Sequence, residues 1–543
     1  MISSALLYYN TLRHLKRSQI THRVYRKLRP RPRPSVPKVD VREARRNWIA
    51  GASRQQSLFG VNEFRLLNQE VIIEERGDWS DSSLDRLLLY NLHYFDDLQA
   101  QGANERLQIQ THLLDRWMAD NPPGGSPGWE PYPTSLRIVN WIKWSLSGGD
   151  LSERQLRSLA IQADWLSKNL EFHLLGNHLF VNAKALFFAS CFFSGSDADR
   201  WRAVSCGVLE IELTEQILDD GGQFELSPMY HCLALEDVCD LINVAGTYDQ
   251  GRDFVDRQEL PQLASRMLSW LASMSHPDGG ISLFNDSAFQ IAPEPDSLFA
   301  YAARLGIKTE ATPPIRYLED SGYARVETGN ACLITDIGEV GPSYIPGHAH
   351  ADTLSFELSL FGQRWLVDTG CSTYEPSAER LRQRGTGSHN TVQVDDEDSS
   401  EVWASFRVAR RAQVFGQRVQ EEPGTTRVSC SHDGFMRLPG RVTHKRIWQM
   451  DGDRLAITDE LSGTFSSAES RLLLHPDVDA RKDGDVLLLS RDGYVARLQL
   501  NGVNPSIERS TWHPEFGARI ATRQIRLPFS NKVLRVEMDW SEN

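Results

Sequence analysis

The sequence predicts an α+β multidomain protein in which a helical N-terminal domain is followed by an antiparallel β domain. Three observations carry this. Over roughly residues 80 to 310, apolar residues recur at helical spacing in long stretches such as "SLRIVNWIKWSL", "NHLFVNAKALFFASCFF" and "MYHCLALEDVCDLINVAGTY". Pro313 and Pro314 then break any helix. Beyond them the texture turns to short alternating segments, "YARVE", "LSFELSL", "RWLVDTG", "HNTVQVD" and "RLAITDEL". At 543 residues, with 40% hydrophobic and 24% charged residues, the chain has room for two large domains and the composition of a globular protein.

The chain divides into a basic arm (residues 1–55), a helical domain (56–314) and a β domain (315–543). Residues 1–50 hold thirteen Lys or Arg against Asp40 and Glu43, in a chain of net charge −13, so positive charge is concentrated in the arm. The simplest expectation for the arm is a solvated, partly extended tail; the alternative is peripheral contact with an anionic membrane or an acidic polymer. No nucleic-acid reader motif accompanies the basic residues, so nucleic acid is not expected as a partner. The first stretch has too short an apolar segment for a signal peptide, and no run of about 18 apolar residues follows. A cytoplasmic location is therefore the first expectation, with the periplasm as the alternative.

The helical stretches suggest stacked hairpins, and no fixed-period repeat supports a solenoid. The seven cysteines are scattered and never spaced as CxxC, which argues for free thiols rather than a disulfide framework or a zinc ribbon. A ligand cleft is expected where the two domains meet.

Within "PGHAHADTLSFEL", His348 and His350 are two apart, a spacing that on a strand directs both to one face. "TGSHNTVQVD" adds His389 and "RWLVDTG" adds Asp368; imidazole and carboxylate together suit zinc or a similar divalent ion. A turn at Gly362 and Gln363 would pair Asp368 with about Glu357, so the chain must bend near Ala351 for the four to meet. The competing reading is strand-end histidines making surface hydrogen bonds. In "LDDGGQFELSPMYHCLALEDV", Ser227 can cap a helix, Pro228 fits its first position and Tyr230 falls in its first turn. There, beside His231, the helix N-terminus would lower the phenol pKa. "LLGNHLFVNAKAL" opens another helix with Asn177 and His178, whose donors could hold a carboxylate. Plain capping by Asn177 and core packing of Tyr230 are the alternatives.

The segments "GNHLFVNAKAL", "DGGQFELSPMYH", "PGHAHADTLSFEL" and "GSHNTVQVD" resemble, in order and separation, those of the heparinase II/III superfamily of polysaccharide lyases. The resemblance covers roughly residues 80 to 540 and leaves the arm outside. It implies an incomplete (α/α) toroid followed by an antiparallel β-sandwich domain, and β-elimination at uronic acids of an acidic polysaccharide. It also implies that Asn177 neutralises the uronate, that Tyr230 acts as acid and in some steps base, and that His348 is the opposing base. His350, Asp368 and His389 match metal positions, zinc foremost with manganese and calcium as alternatives, in a structural role beside the reacting groups. "YNLHYFDDL" and "GWEPYPTSLRIVNW" resemble cleft-lining segments. They add Asn91, His93, Trp129, Arg137 and Trp141 as sugar contacts, with core packing as the other reading for the Trp residues. His178, His231 and Glu225 join the substrate-binding set, and a hydrolytic pair of Glu225 with Asp352 is the weakest alternative.

The expected substrate is a bacterial capsule, exopolysaccharide or O-antigen chain. Heparan sulfate is disfavoured because the body outside the arm is acidic. The rival activities are C5 uronosyl epimerisation on the same residues and non-catalytic glycan binding.

Overall fold

The computed structural model describes residues 4–30 and 32–542. Two helices open it, α1 (Ser4–Leu12) and α2 (Arg17–Leu28). The helical domain follows with α3 (Arg86–Leu92), α4 (Leu107–Asp120), α5 (Pro131–Leu146), α6 (Glu153–Ser167), α7 (Gly176–Phe192), α8 (Ser196–Gln216), α9 (Pro228–Tyr248), α10 (Arg252–Arg257), α11 (Leu260–Met274) and α12 (Pro295–Arg304). Local chemistry sets several starts. Ser152 accepts the Gln155 N–H at 3.4 Å to cap α6, and prolines occupy the first turn of α5, α9, α11 and α12.

Helix α7 corrects the amphipathic reading of "NHLFVNAKALFFASCFF". Every residue from Leu179 to Phe192 is buried, because α5, α8 and α9 pack around it. With α7 at its centre the domain forms an open arc of helical hairpins, an incomplete toroid.

The last helix of this domain ends at Arg304 and the first strand of the β domain starts at Ile315. A five-stranded antiparallel sheet runs in chain order through Ile315–Leu318, Tyr323–Thr328, Ala331–Asp336, Phe356–Leu360 and Gln363–Leu366. It packs against an eight-stranded sheet that includes His444–Asp451 and Arg454–Leu461, sharing a core of Leu333, Phe356, Leu358, Trp365, Trp448, Leu455 and Ile457. A four-stranded sheet completes the sandwich. The two domains fuse through an apolar cluster in which Leu226, Trp270, Met274 and Phe284 meet Leu318, Tyr323, Cys332 and Ile334. All seven cysteines are free and six are buried.

The arm departs from expectation: its described residues are docked, not a solvated tail. Lys16 pairs with Glu215 and lies 3.9 Å over the Tyr344 ring, while Gln19 donates to the Leu174 carbonyl at 3.3 Å. On the β side, Trp403 Nε1–H donates to Thr11 Oγ1 at 3.1 Å and its ring meets Tyr8 edge-on at 4.9 Å. Farther along, Asp40–Val41 pairs antiparallel with Phe193–Ser194. The arm therefore straps the helical domain to the β domain.

Trp270 is fully buried in the interdomain cluster and donates Nε1–H to Ser321 Oγ at 2.9 Å. Trp270→Ala should cost about 3–5 kcal/mol of stability, with the unfolding transitions of both domains moving in urea titrations followed by fluorescence and circular dichroism. A shift confined to one domain would show that the cluster does not join them.

Candidate active site

A cleft of about 810 Å³ lies between the domains, walled by α5, α7 and α9 on one side and by residues 343–348, 374–376 and 405–411 on the other. Tyr8, Thr11, Leu12, Leu15, Gln19 and Arg23 of the arm line it as well.

Asn177 and His178 enter at the start of α7. The preceding Leu175 and Gly176 adopt left-handed conformations, with φ of 66° and 57°, and turn the helix N-terminus to the cleft. Asn177 Nδ2–H donates to Tyr132 OH at 3.2 Å, and His178 Nδ1 lies 3.2 Å from Glu171 Oε2. Burial opposes protonation of His178, but Glu171 outweighs it and raises the imidazole pKa.

Tyr230 stands in the first turn of α9, as the sequence indicates. Ser227 Oγ accepts the Tyr230 N–H at 3.3 Å, and its own O–H donates to the Asp286 carbonyl at 2.8 Å. Leu226 just before the cap is also left-handed, φ 59°. The expected lowering of the Tyr230 pKa is corrected. Burial pushes it well above the ordinary phenol value and neighbouring Tyr132 adds to this, against an opposing 3.2 Å hydrogen bond with Tyr374 OH. Desolvation outweighs the field of the helix end, so the side chain is a neutral phenol.

His348 and His350 sit in an irregular segment rather than on a strand; the strand begins at Phe356. A shared carboxylate brings them together. His348 Nδ1 and His350 Nε2 each lie 2.9 Å from one oxygen of Asp286, which also receives the Arg380 guanidinium, one contact at 2.7 Å. Burial would raise the Asp286 pKa, but Arg380 and the two imidazoles hold its carboxyl well below the usual carboxylate range. With Nδ1 turned to Asp286, His348 Nε2 is the ring nitrogen without a hydrogen bond among the described residues, 3.7 Å from Glu225 Oε2. The His348 and Tyr230 rings are in contact at a centroid distance of 4.1 Å. Sandwiching a sugar ring would need about 7 Å, two carbon contacts of about 3.5 Å. In this arrangement the two rings leave no room for a sugar between them.

Glu225 is buried behind His348 with Oε2 unpartnered, and burial raises its pKa. Asp352 is also buried and does not line the cleft, so the hydrolytic pair of Glu225 and Asp352 does not form there.

Several expected sugar contacts are core residues. His93 donates Nε2–H to the Trp79 carbonyl at 3.0 Å and accepts the Trp117 indole N–H at 2.9 Å. Arg137 lies 3.9 Å over the Trp117 ring and donates to Gln162 Oε1 at 2.8 Å. Trp129 and Trp141 are buried in the same aromatic cluster, and His231 stacks on Trp270 and bonds to the Met267 carbonyl. None of these five reaches the cleft. Asn91 does, with its amide donated to the Leu87 carbonyl at 2.8 Å. Sequence reasoning missed Tyr132, inside the segment "GWEPYPTSLRIVNW", and also Tyr374, Asp286 and Arg380, which belong to no local motif.

The cleft also holds Arg23, Arg407 and Arg411, none of which forms an ion pair among the described residues. Arg23 comes from the arm and Arg407 and Arg411 from the β domain, and they share the cleft with Glu236, Asp237 and Asp240.

His350, Asp368 and His389 converge with one ligand atom from each within 4.8 Å of the others, all three fully buried. His389 Nδ1 is 2.8 Å from Asp368 Oδ2. Asp286 takes the Nε2–H of His350, which leaves Nδ1 bare, and both this atom and His389 Nε2 are buried without a partner. Orphaned imidazole nitrogens beside a buried carboxylate fit a divalent ion, with Asp286 as the outer hydrogen-bond partner that fixes the His350 tautomer.

Residues 310–541 match the family model "Heparinase II/III-like, C-terminal" and residues 145–295 match "Heparinase II/III N-terminus", together well over half of the chain. Among curated proteins, a "Heparin-sulfate lyase" of Pedobacter heparinus is 30% identical over 335 residues (55% of this chain, 50% of the relative), and one of Bacteroides stercoris is 26% identical over 354 residues (60% and 50%). The chain spans about half the length of the curated relatives it matches. Among solved structures, "Crystal Structure of Heparinase III" aligns with TM-score 0.69 at 17% identity, covering 86% of this chain and 79% of that one. Heparan sulfate lyase HepC from Pedobacter heparinus aligns with TM-score 0.59 at 19% identity, covering 89% and 82%. These likenesses establish the shared toroid and sandwich fold.

Two outcomes are expected. The purified protein should carry about one equivalent of divalent metal by elemental analysis, lost in His350→Ala and Asp368→Asn. Chelation should lower the melting temperature of the parent to that of the variants, since an ion held at a hundredfold above its Kd stabilises by about 2.7 kcal/mol. Because the His178 pKa is raised, its cation is present below that pKa and lost as pH rises through it. Affinity for an acidic oligosaccharide should therefore fall over that interval in calorimetric titrations, and His178→Asn should flatten the profile.

Proposed function

Because the chain belongs to the heparinase II/III family and its cleft gathers a neutral phenol, an imidazole with a free lone pair and a set of amide and imidazole donors, we propose that it is a polysaccharide lyase acting by β-elimination on a uronate-containing acidic polysaccharide. The contact between Tyr230 and His348 beside the Asn177 and His178 donors carries this reading.

Removal of the C5 proton is prohibitive while the adjacent carboxylate keeps its full charge. The Asn177 amide and protonated His178, at the N-terminus of α7, would hold the carboxylate and take up the charge that develops on it. His348 Nε2 accepts the C5 proton, and Asp286 stabilises the imidazolium that results. The C5–H electron pair forms the C4=C5 double bond as the C4–O bond breaks, and Tyr230 O–H protonates the departing oxygen. Tyr374, hydrogen-bonded to Tyr230, supports the phenolate until a proton returns from water. Acid and base on one face give a syn course. A bound divalent ion, zinc by its donor set, would be held by His350, Asp368 and His389 and supply fixed positive charge that anchors the histidine segment.

Epimerisation at C5 is the second reading. It requires proton return from the opposite face, which the touching Tyr230 and His348 rings do not provide on their own. The unpaired Arg23, Arg407 and Arg411 suit a polymer with further carboxylates or sulfates. Bacterial capsule, exopolysaccharide and O-antigen chains are the first polymers to test, with heparan sulfate beside them.

Incubation with this panel should generate ultraviolet absorbance from the conjugated 4,5-unsaturated uronyl end. Tyr230→Phe should reduce the rate by about 10²- to 10⁴-fold with binding nearly unchanged. Solvent deuterium at C5 of intact polymer, without an absorbance rise, would establish the epimerase instead.

A further inference from the structure

The outer surface of the N-terminal strap is unlike the rest of the molecule. Among the described residues, nineteen large apolar side chains are exposed, and eight of them fall between Leu6 and Leu28. On α2, Ile20 (50% exposed), Val24 (53%) and Leu28 (80%) stand at i, i+4 and i+8 and form one stripe. Arg17 and Lys27 lie on the same face by helical spacing, while Gln19, His22 and Arg26 turn inward, to the Leu174 carbonyl, Phe172 and His173. Leu6 and Tyr9 (64%) of α1 add exposed apolar surface. No acidic residue precedes Asp40, in a chain of net charge −13.

An apolar stripe flanked by Arg and Lys, on a helix already folded and anchored from behind, has the chemistry of an interfacial helix. We infer that the outward face of α2, with Leu6 and Tyr9 of α1, docks this protein onto an anionic phospholipid bilayer. The apolar stripe enters the headgroup and acyl boundary and the cations pair with lipid phosphates. Charge complementarity selects this occupant, because a second copy of the same chain would bring like positive charge against the arm. No helix among the described residues is long and apolar enough to cross a membrane, so the strap lies on the bilayer. The inference is independent of the lyase reading. Since the opposite side of the strap lines the cleft, docking would hold the cleft mouth next to the lipid surface.

The test is co-sedimentation of the full-length protein with vesicles of phosphatidylglycerol and phosphatidylethanolamine, against vesicles of phosphatidylcholine alone. Anionic vesicles should retain the protein about tenfold more strongly than neutral ones, and raised salt should weaken the retention. The triple change Ile20→Glu, Val24→Glu and Leu28→Glu, and separately the double change Arg17→Glu and Lys27→Glu, should each release the protein about tenfold. Circular dichroism and the melting temperature should stay at the parental values, since these side chains face solvent. Equal binding to both vesicle types, no binding to either, or unchanged binding by folded variants would overturn the inference. So would a dimer in light scattering that the triple change converts to a monomer, which would assign the stripe to a second copy.

Discussion

One buried carboxylate holds the site together. Asp286 lies on the loop between α11 and α12, yet its oxygens receive His348 and His350 from the β domain and the guanidinium of Arg380 from the short helix at Ala378–Arg384. Its backbone N–H donates to the His348 carbonyl at 3.0 Å, and its carbonyl receives the Ser227 hydroxyl that caps the helix of Tyr230. A fully buried anion survives only when its lone pairs are occupied, and here every occupant is a functional group or its support. The Tyr230 phenol, the His348 imidazole and the metal-type cluster are thus positioned by one desolvated charge, and the domains cannot separate at this point without stranding it.

The same low-dielectric setting decides the protonation states. Tyr230 remains a phenol because burial beside other phenols and carboxylates outweighs the helix terminus, whereas the His178 pKa is raised because Glu171 is near enough to overcome burial. Two groups displaced in ways that suit an acid and a cation, within one cleft, give the proposed division of labour a physical basis.

Legibility in the sequence followed locality. Ser227, Pro228 and Tyr230 could be read because a cap, a first-turn proline and a first-turn side chain obey spacing rules within one helix. His350, Asp368 and His389 could be grouped by chemistry, but the strand geometry invoked for the two histidines does not exist; a loop and a shared carboxylate replace it. His93, Arg137 and Trp129 are polar or amphipathic types whose hydrogen bonds are satisfied inside an aromatic core that also buries Trp141, and nothing in residue type separates that from sugar stacking. Asp286, in "LFNDSAF", carried no pattern at all: the partners of its carboxylate lie 62 to 94 residues away along the chain.

The strap that ties Glu215 to Trp403 has a topological consequence. An open groove lets a polymer settle sideways at any point along its length, with branches hanging free above it. A bridged groove is a short channel, through which a strand passes only along its own axis and a bulky side branch does not pass. Under the lyase reading proposed above, a closed bridge would select on the ends and the branching of a glycan chain as much as on the identity of its sugars.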